Sequence, residues 1–225
     1  MFELVLFDLD GTITDPKEGI TNCVKYALEY FGIKETDEKK LLKFIGPPLV
    51  DSFKEFYGFS EEKAKLAVEK YRERFSTIGL FENAVIDGAY ELLSYLKESG
   101  KKLALATSKP EIFAKRITEK YDLAKYFDYQ VGAELDGTRN YKDEVISALL
   151  KLAGQKDLTK VVMIGDRRQD IIGAKKCNIS SIGVKCGYAE ENELEDAGSD
   201  YIFQNLYETL EFFKNNTWLF FQKVW

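Results

Sequence analysis

Four short apolar runs constrain this chain more than any other feature of its sequence. Leu4-Val5-Leu6-Phe7 ends at Asp8, and Leu103-Ala104-Leu105-Ala106 ends at Thr107-Ser108. Val161-Val162-Met163-Ile164 ends at Gly165-Asp166, and Ile182-Gly183-Val184 is a further run. Runs of this length without polar alternation suit strands buried on both faces, the condition of a parallel sheet covered by helices. Between them, residues 89–98, 111–120, 143–152 and 171–176 carry apolar side chains at helical spacing, and Gly100 stands where the first of these segments should stop. Strand and helix therefore alternate from about residue 85 onward, which predicts βαβ units and an α/β fold with a doubly wound parallel sheet.

Residues 17–80 break the alternation. Segments 20–31, 38–44, 50–57 and 61–75 are amphipathic, and no strand-like run separates them. A helical insertion after the first strand is the expectation, with boundaries near Asp15-Pro16 and residues 83–88. This divides the chain into a core of residues 1–15 and 84–225 and an insertion of residues 16–83, which a length of 225 can accommodate. The ending, residues 215–225, is unusually aromatic and too short to span a bilayer, so packing against the domain or another chain is expected.

Composition removes several kinds of chemistry. The chain has no histidine, which excludes Ser-His-Asp and Cys-His catalysis and His-ligated zinc. Acid–base work must fall to carboxylates, lysine, tyrosine or water. A net charge of −6 disfavours a nucleic-acid polymer as partner, because that affinity comes from neutralising backbone phosphates, but it leaves room for a small phosphorylated molecule. Cys23, Cys177 and Cys186 have no CxxC spacing and cannot all pair internally, so reduced thiols are expected. No signal-peptide pattern or membrane-length apolar run is evident; a cytoplasmic protein with no membrane partner, monomeric or homodimeric, follows as an expectation.

Open parallel sheets bind ligands beyond the carboxyl ends of their strands, where this chain concentrates its polar clusters. Asp8 and Asp10, one residue apart at a strand end, can divide phosphoryl transfer between them. Asp8 would attack phosphorus to form an aspartyl-phosphate. Asp10 would protonate the leaving oxygen and then activate water. Gly11 allows close backbone approach and Thr12 can hydrogen-bond the loop. A phosphate dianion beside carboxylates requires a cation, and hard oxygen ligands without histidine point to Mg2+. Asp8, Asp166 and the Asp10 backbone carbonyl are the candidate ligands, with Asp170 as a further ligand or an anchor for the others. Thr107, the Ser108 amide and a lysine would supply donors to the transferring phosphoryl group. Lys142 is the favoured lysine, because Lys109 immediately precedes Pro110 and could point elsewhere.

These residues carry a resemblance. Asp8-Leu9-Asp10-Gly11-Thr12, Ala106-Thr107-Ser108-Lys109-Pro110, residues 141–146 and residues 163–170 resemble, in order, the four motifs of haloacid dehalogenase superfamily phosphatases. The likeness covers residues 4 to about 185 and is nearest to phosphoglycolate phosphatase-like and 5′-nucleotidase-like members. It implies a Rossmann-like core, a helical cap over residues 16–83, and the roles given above to Asp8, Asp10, Thr107, Lys142, Asp166 and Asp170. It also suggests Gly46-Pro47-Pro48-Leu49 as a cap loop that contacts substrate, with Gly46 and Pro47 foremost, although the same residues suit a simple interhelix turn. Arg139 stands as a substrate contact or a structural residue; Arg167 and Arg168 read as surface charges. A phosphomutase acting on a sugar phosphate and a non-catalytic phosphate-binding module remain alternatives. Dehalogenation fits less well, since it needs neither Asp10 nor a metal site.

Overall fold

The computed structural model describes residues 2–136 and 138–221, with side chains as far as residue 215. The chain begins with β1 (Leu4–Phe7) and β2 (Thr14–Asp15), followed by helices α1 (Lys17–Tyr30), α2 (Glu38–Leu42), α3 (Leu49–Tyr57) and α4 (Glu61–Phe75). Strand β3 (Ala84–Val85) and helix α5 (Ala89–Glu98) lead to β4 (Lys102–Pro110), α6 (Glu111–Lys120), β5 (Tyr129–Ala133) and α7 (Lys142–Leu152). Then come β6 (Val161–Gly165), α8 (Arg168–Lys176), β7 (Ser180–Val184), α9 (Glu193–Asp196), β8 (Tyr201–Phe203) and α10 (Leu206–Phe221).

Six strands form one parallel sheet in the order β5-β4-β1-β6-β7-β8. Strand β1 is central, and its four side chains are 0–1% exposed, because helices cover both faces. Period-two alternation sends Val5 and Phe7 into one layer, with Leu92, Leu93 and Ile117, while Leu4 and Leu6 enter the other, with Val145, Ile146 and Leu149 of α7. Each buried side chain of this size contributes about 1.5–3 kcal/mol of transfer free energy. Phe7 lies level with Leu105 of β4 and Ile164 of β6, so the residues following these three strands emerge together at one edge. The chain runs from β1 outward to β5, then returns across β1 to β6, and that reversal opens a crevice at the carboxyl ends.

The helical stretch α1–α4 lies between β2 and β3, whose antiparallel pairing of Thr14 with Val85 and Asp15 with Ala84 ties its two ends together. Helix α4 packs against α1 and α3. Phe44 meets Phe53 at 5.0 Å, and Phe53 stacks on Phe59 at 5.9 Å. The Asp37 side chain caps α2 and the Ser60 hydroxyl caps α4, satisfying amides that a helix start leaves open.

Several elements depart from the sequence expectations. Helix α2 stops at Leu42, short of Phe44, where the chain turns and then bends through Gly46, whose φ is +106°, ahead of Pro47 and Pro48. Strand β4 continues past Ala106 to Pro110. The edge strands β5 and β8 and the short β2–β3 pair were not anticipated: edge strands are short and mixed in polarity, and lack the long apolar run of a doubly covered strand. Among the described residues no helix is long and apolar enough to cross a membrane. The expectation for the aromatic ending concerns side chains outside the described residues.

Candidate active site

Asp8, the first residue after β1, is 4% exposed, and its amide donates to the Ile164 carbonyl at 2.9 Å. One step further, Gly11 turns the chain with φ +84°, a conformation disfavoured for other residues, and a Cβ there would strike the Asp166 carboxylate. The turn lets the Thr12 hydroxyl donate to Asp166 Oδ1 at 3.0 Å, while the Tyr188 amide donates to Asp166 Oδ2 at 2.8 Å. Asp166 follows β6 and is fully buried, like Asp170 in the first turn of α8. The Arg167 amide donates to Asp170 Oδ2 at 3.1 Å, so the start of α8 fixes that carboxylate.

Lys142 begins α7, and its buried ammonium lies 2.9 Å from Asp8 Oδ1, 2.8 Å from Asp170 Oδ1 and 3.0 Å from the Ala106 carbonyl. The ammonium is thus ion-paired with both carboxylates and hydrogen-bonded to the carbonyl. Burial alone would lower its pKa, but the carboxylates of Asp170 and Asp8 outweigh that effect and hold it above the ordinary lysine value. Carboxylate oxygens of Asp8, Asp166 and Asp170 lie within 4.8 Å of one another. Burial pushes Asp166 well up, with Asp170 and Asp8 adding repulsion; burial also raises Asp170, against the pull of Lys142. One ammonium does not balance three buried carboxylates. This hard-oxygen donor set is compatible with a divalent cation, which would relieve the repulsion.

Thr107 is buried in β4, and its hydroxyl oxygen accepts from the Lys109 amide at 3.2 Å. Ser108 is half-buried and faces a cavity of about 550 Å³ that begins at Asp10 and extends beneath α3 and α4. Asp10 is 8% exposed. Burial raises its carboxyl above the usual range against the opposing influence of Lys109. Gly46, Pro47, Pro48 and Leu49 line the same cavity. Gly46 has φ +106°, and a Cβ there would lie 3.0 Å from Arg167 Cγ.

Two lysine and arginine expectations need correction, and a third residue, Arg139, was left open by the sequence. Lys109 does not point elsewhere: its ammonium is 2.5 Å from Asp10 Oδ2. The register of β4 against β5 shifts between Ala106 and Pro110, and within that irregular stretch Lys109 is 8% exposed and turned toward Asp10. No regular periodicity in the sequence announces this. Arg167 is not a surface charge; it is 8% exposed, donating to the Ile45 carbonyl at 2.5 Å and to Glu193 at 2.9 Å, whereas Arg168 is exposed. It thereby ties the 45–48 loop to the core. Ile45 is 122 residues away in sequence, and no local signal announces the contact. Arg139 pairs with Glu111 and Glu134 and donates to the Gly132 carbonyl at 2.7 Å, outside the cavity lining. Its placement is that of a brace between β5 and α6.

Arg167→Ala is expected to lower stability by about 1–3 kcal/mol. The loss should shrink in a Glu193→Gln background, where one bond is already weakened; denaturant titration of the four proteins checks both.

A family model described as "Haloacid dehalogenase-like hydrolase" matches residues 5–184. The chain is 48% identical to a "5'-nucleotidase" of Pseudomonas aeruginosa over 84% of this chain and 86% of that protein. It is 33% identical to "Tyrosine-protein kinase PtkA" of Mycobacterium tuberculosis over 89% of this chain and 68% of that one. A solved "predicted phosphatase from Clostridium acetobutylicum" superposes with TM-score 0.92 at 46% identity, covering 96% of this chain and 99% of that chain.

Proposed function

The chain belongs to the haloacid dehalogenase-like hydrolase family and is a phosphatase within it, and from that premise we propose that it hydrolyses a small phosphate monoester through an aspartyl-phosphate on Asp8. One observation carries the reading: Asp8 and Asp10 follow β1, Asp166 follows β6 and Thr107 lies within β4, three neighbouring parallel strands, and Lys142 bridges Asp8 and Asp170.

An Asp8 carboxylate oxygen attacks phosphorus while the bond to the leaving oxygen breaks, and Asp10 gives that oxygen its proton. Asp10 then takes a proton from water as the water attacks the aspartyl-phosphate, releasing phosphate and restoring Asp8. Asp10 suits the first task because burial favours its neutral form. Its Oδ2 is held by Lys109, whereas the buried Oδ1 has no hydrogen-bond partner among the described residues. Thr107, the Ser108 amide and Lys142 would hold the phosphoryl oxygens in place. The helical stretch 16–83 serves as a cap that shields the reaction from bulk water. Gly46 and Pro47 belong to its substrate-facing loop.

Mg2+ held by Asp8, Asp166 and the Asp10 backbone carbonyl, with Asp170 a further ligand or anchor, would supply charge neutralisation for the incoming phosphate. Its removal gives a direct test. Chelation should abolish phosphate release and Mg2+ should restore it. Mg2+ at about 100 times its dissociation constant should stabilise the protein by about 2.7 kcal/mol. Undiminished phosphate release after exhaustive chelation would refute the metal assignment.

A further inference from the structure

Resting on that phosphatase reading, we propose that the cavity above Asp10 selects phosphate monoesters whose leaving alcohol is uncharged and presents a flat apolar face. A nucleoside is the class of alcohol that fits. Leaving groups carrying a carboxylate or a second phosphate are turned away.

The first argument is charge. Two of the three cations on the cavity wall are already paired: Lys109 with Asp10 at 2.5 Å, and Lys65 with Glu61 at 3.3 Å. Arg72 remains, with one nitrogen donating to the Leu135 carbonyl at 3.1 Å. Against it stand three lining carboxylates. Among the described residues Asp51, Glu69 and Asp136 form no salt bridge, and the Asp136 carboxylate accepts from the amide and hydroxyl of Thr138. An anionic leaving group would lose hydration and meet a wall of its own sign, with no matched cationic fork to receive it. An uncharged alcohol incurs neither cost.

The second argument is the apolar wall, to which Phe44, Tyr71, Phe75 and Phe113 contribute. Tyr71 stacks on Phe75 at 5.1 Å, and Phe75 meets Phe113 edge-on at 5.4 Å. Such surfaces favour a planar ring over a short, strongly hydrated chain. Tyr71 itself is 4% exposed, so its ring belongs to the wall rather than to the solvent-facing rim. The cavity, at about 550 Å³, is also far larger than a two-carbon alcohol requires.

The test uses substrates matched in all but the property at issue. Purified full-length protein with Mg2+ is assayed for phosphate release from phosphoglycolate and from 2-hydroxyethyl phosphate, which differ in the leaving-group charge. It is also assayed with a nucleoside 5′-monophosphate and with ribose 5-phosphate, which differ in the ring. The uncharged member of the first pair should be preferred in kcat/KM by about tenfold or more, with the gap narrowing as salt rises. The nucleotide should be preferred in the second pair. In an Asp51→Asn/Glu69→Gln double variant, the ratio within the first pair should fall by about threefold or more. Equal or better turnover of phosphoglycolate would overturn the proposal and make Arg72 a carboxylate reader. Ribose 5-phosphate matching the nucleotide would overturn the part assigned to the aromatic wall. No phosphate release from any of these esters or from an aryl phosphate would instead overturn the phosphatase reading itself.

Discussion

Asp8→Asn is expected to lower kcat for phosphate release by about 10⁵-fold or more, because an amide in place of the attacking carboxylate removes the bond-forming atom rather than weakening a contact. The fold should survive. Asparagine is nearly isosteric, Lys142 keeps its contacts with Asp170 and the Ala106 carbonyl, and one of three mutually repelling carboxylates is lost. Unchanged thermal unfolding together with single-turnover assays at saturating substrate separates lost chemistry from lost structure. A purified Asp8→Asn protein that turns over at the parent rate would remove Asp8 from the nucleophile's role.

Lys142→Met should damage stability and rate together. Asp8 and Asp170, 4% and 0% exposed, would lose the ammonium that lies 2.9 Å and 2.8 Å from them. Removing one partner of a buried ion pair costs about 3–5 kcal/mol, since the remaining charge cannot regain its hydration. Denaturant titration in chelator reads this loss, and Mg2+ should recover part of it by supplying another positive charge among the same carboxylates. A fixed donor to the transferring phosphoryl group is worth about 10²–10³ in kcat. Parent-like stability in chelator would show that the Lys142 ammonium is not what balances these carboxylates.

Much of the fold was legible because a doubly covered strand must be apolar at every position. The run at residues 4–7 states its burial directly, and the helical segments 89–98 and 111–120 coincide with α5 and α6. Strands β5 and β8 were not legible, since an edge strand carries no comparable demand. At the candidate site, the abrupt change from apolar to polar marked Asp8, Thr107 and Asp166, and the sheet brings their strand ends side by side. Lys109 was not legible, because β4 shifts register between Ala106 and Pro110 and simple strand periodicity does not say which way its side chain turns. Arg139 was ambiguous in sequence, and only the nearness of Glu111 and Glu134 accounts for its placement.

By itself the sequence determined which strands are buried, where a helical insertion interrupts them, and which carboxylates stand at strand ends. Those properties depend on local periodicity and on the polarity of a few adjacent residues. The tertiary structure decided the rest: that Lys142 lies between Asp8 and Asp170, that Lys109 meets Asp10, that Arg167 holds the 45–48 loop, and that the cavity wall carries more acid than base. Such contacts join residues tens to more than a hundred positions apart. Their energies depend on distance and burial, which exist only once the strands have paired and the helices have covered them.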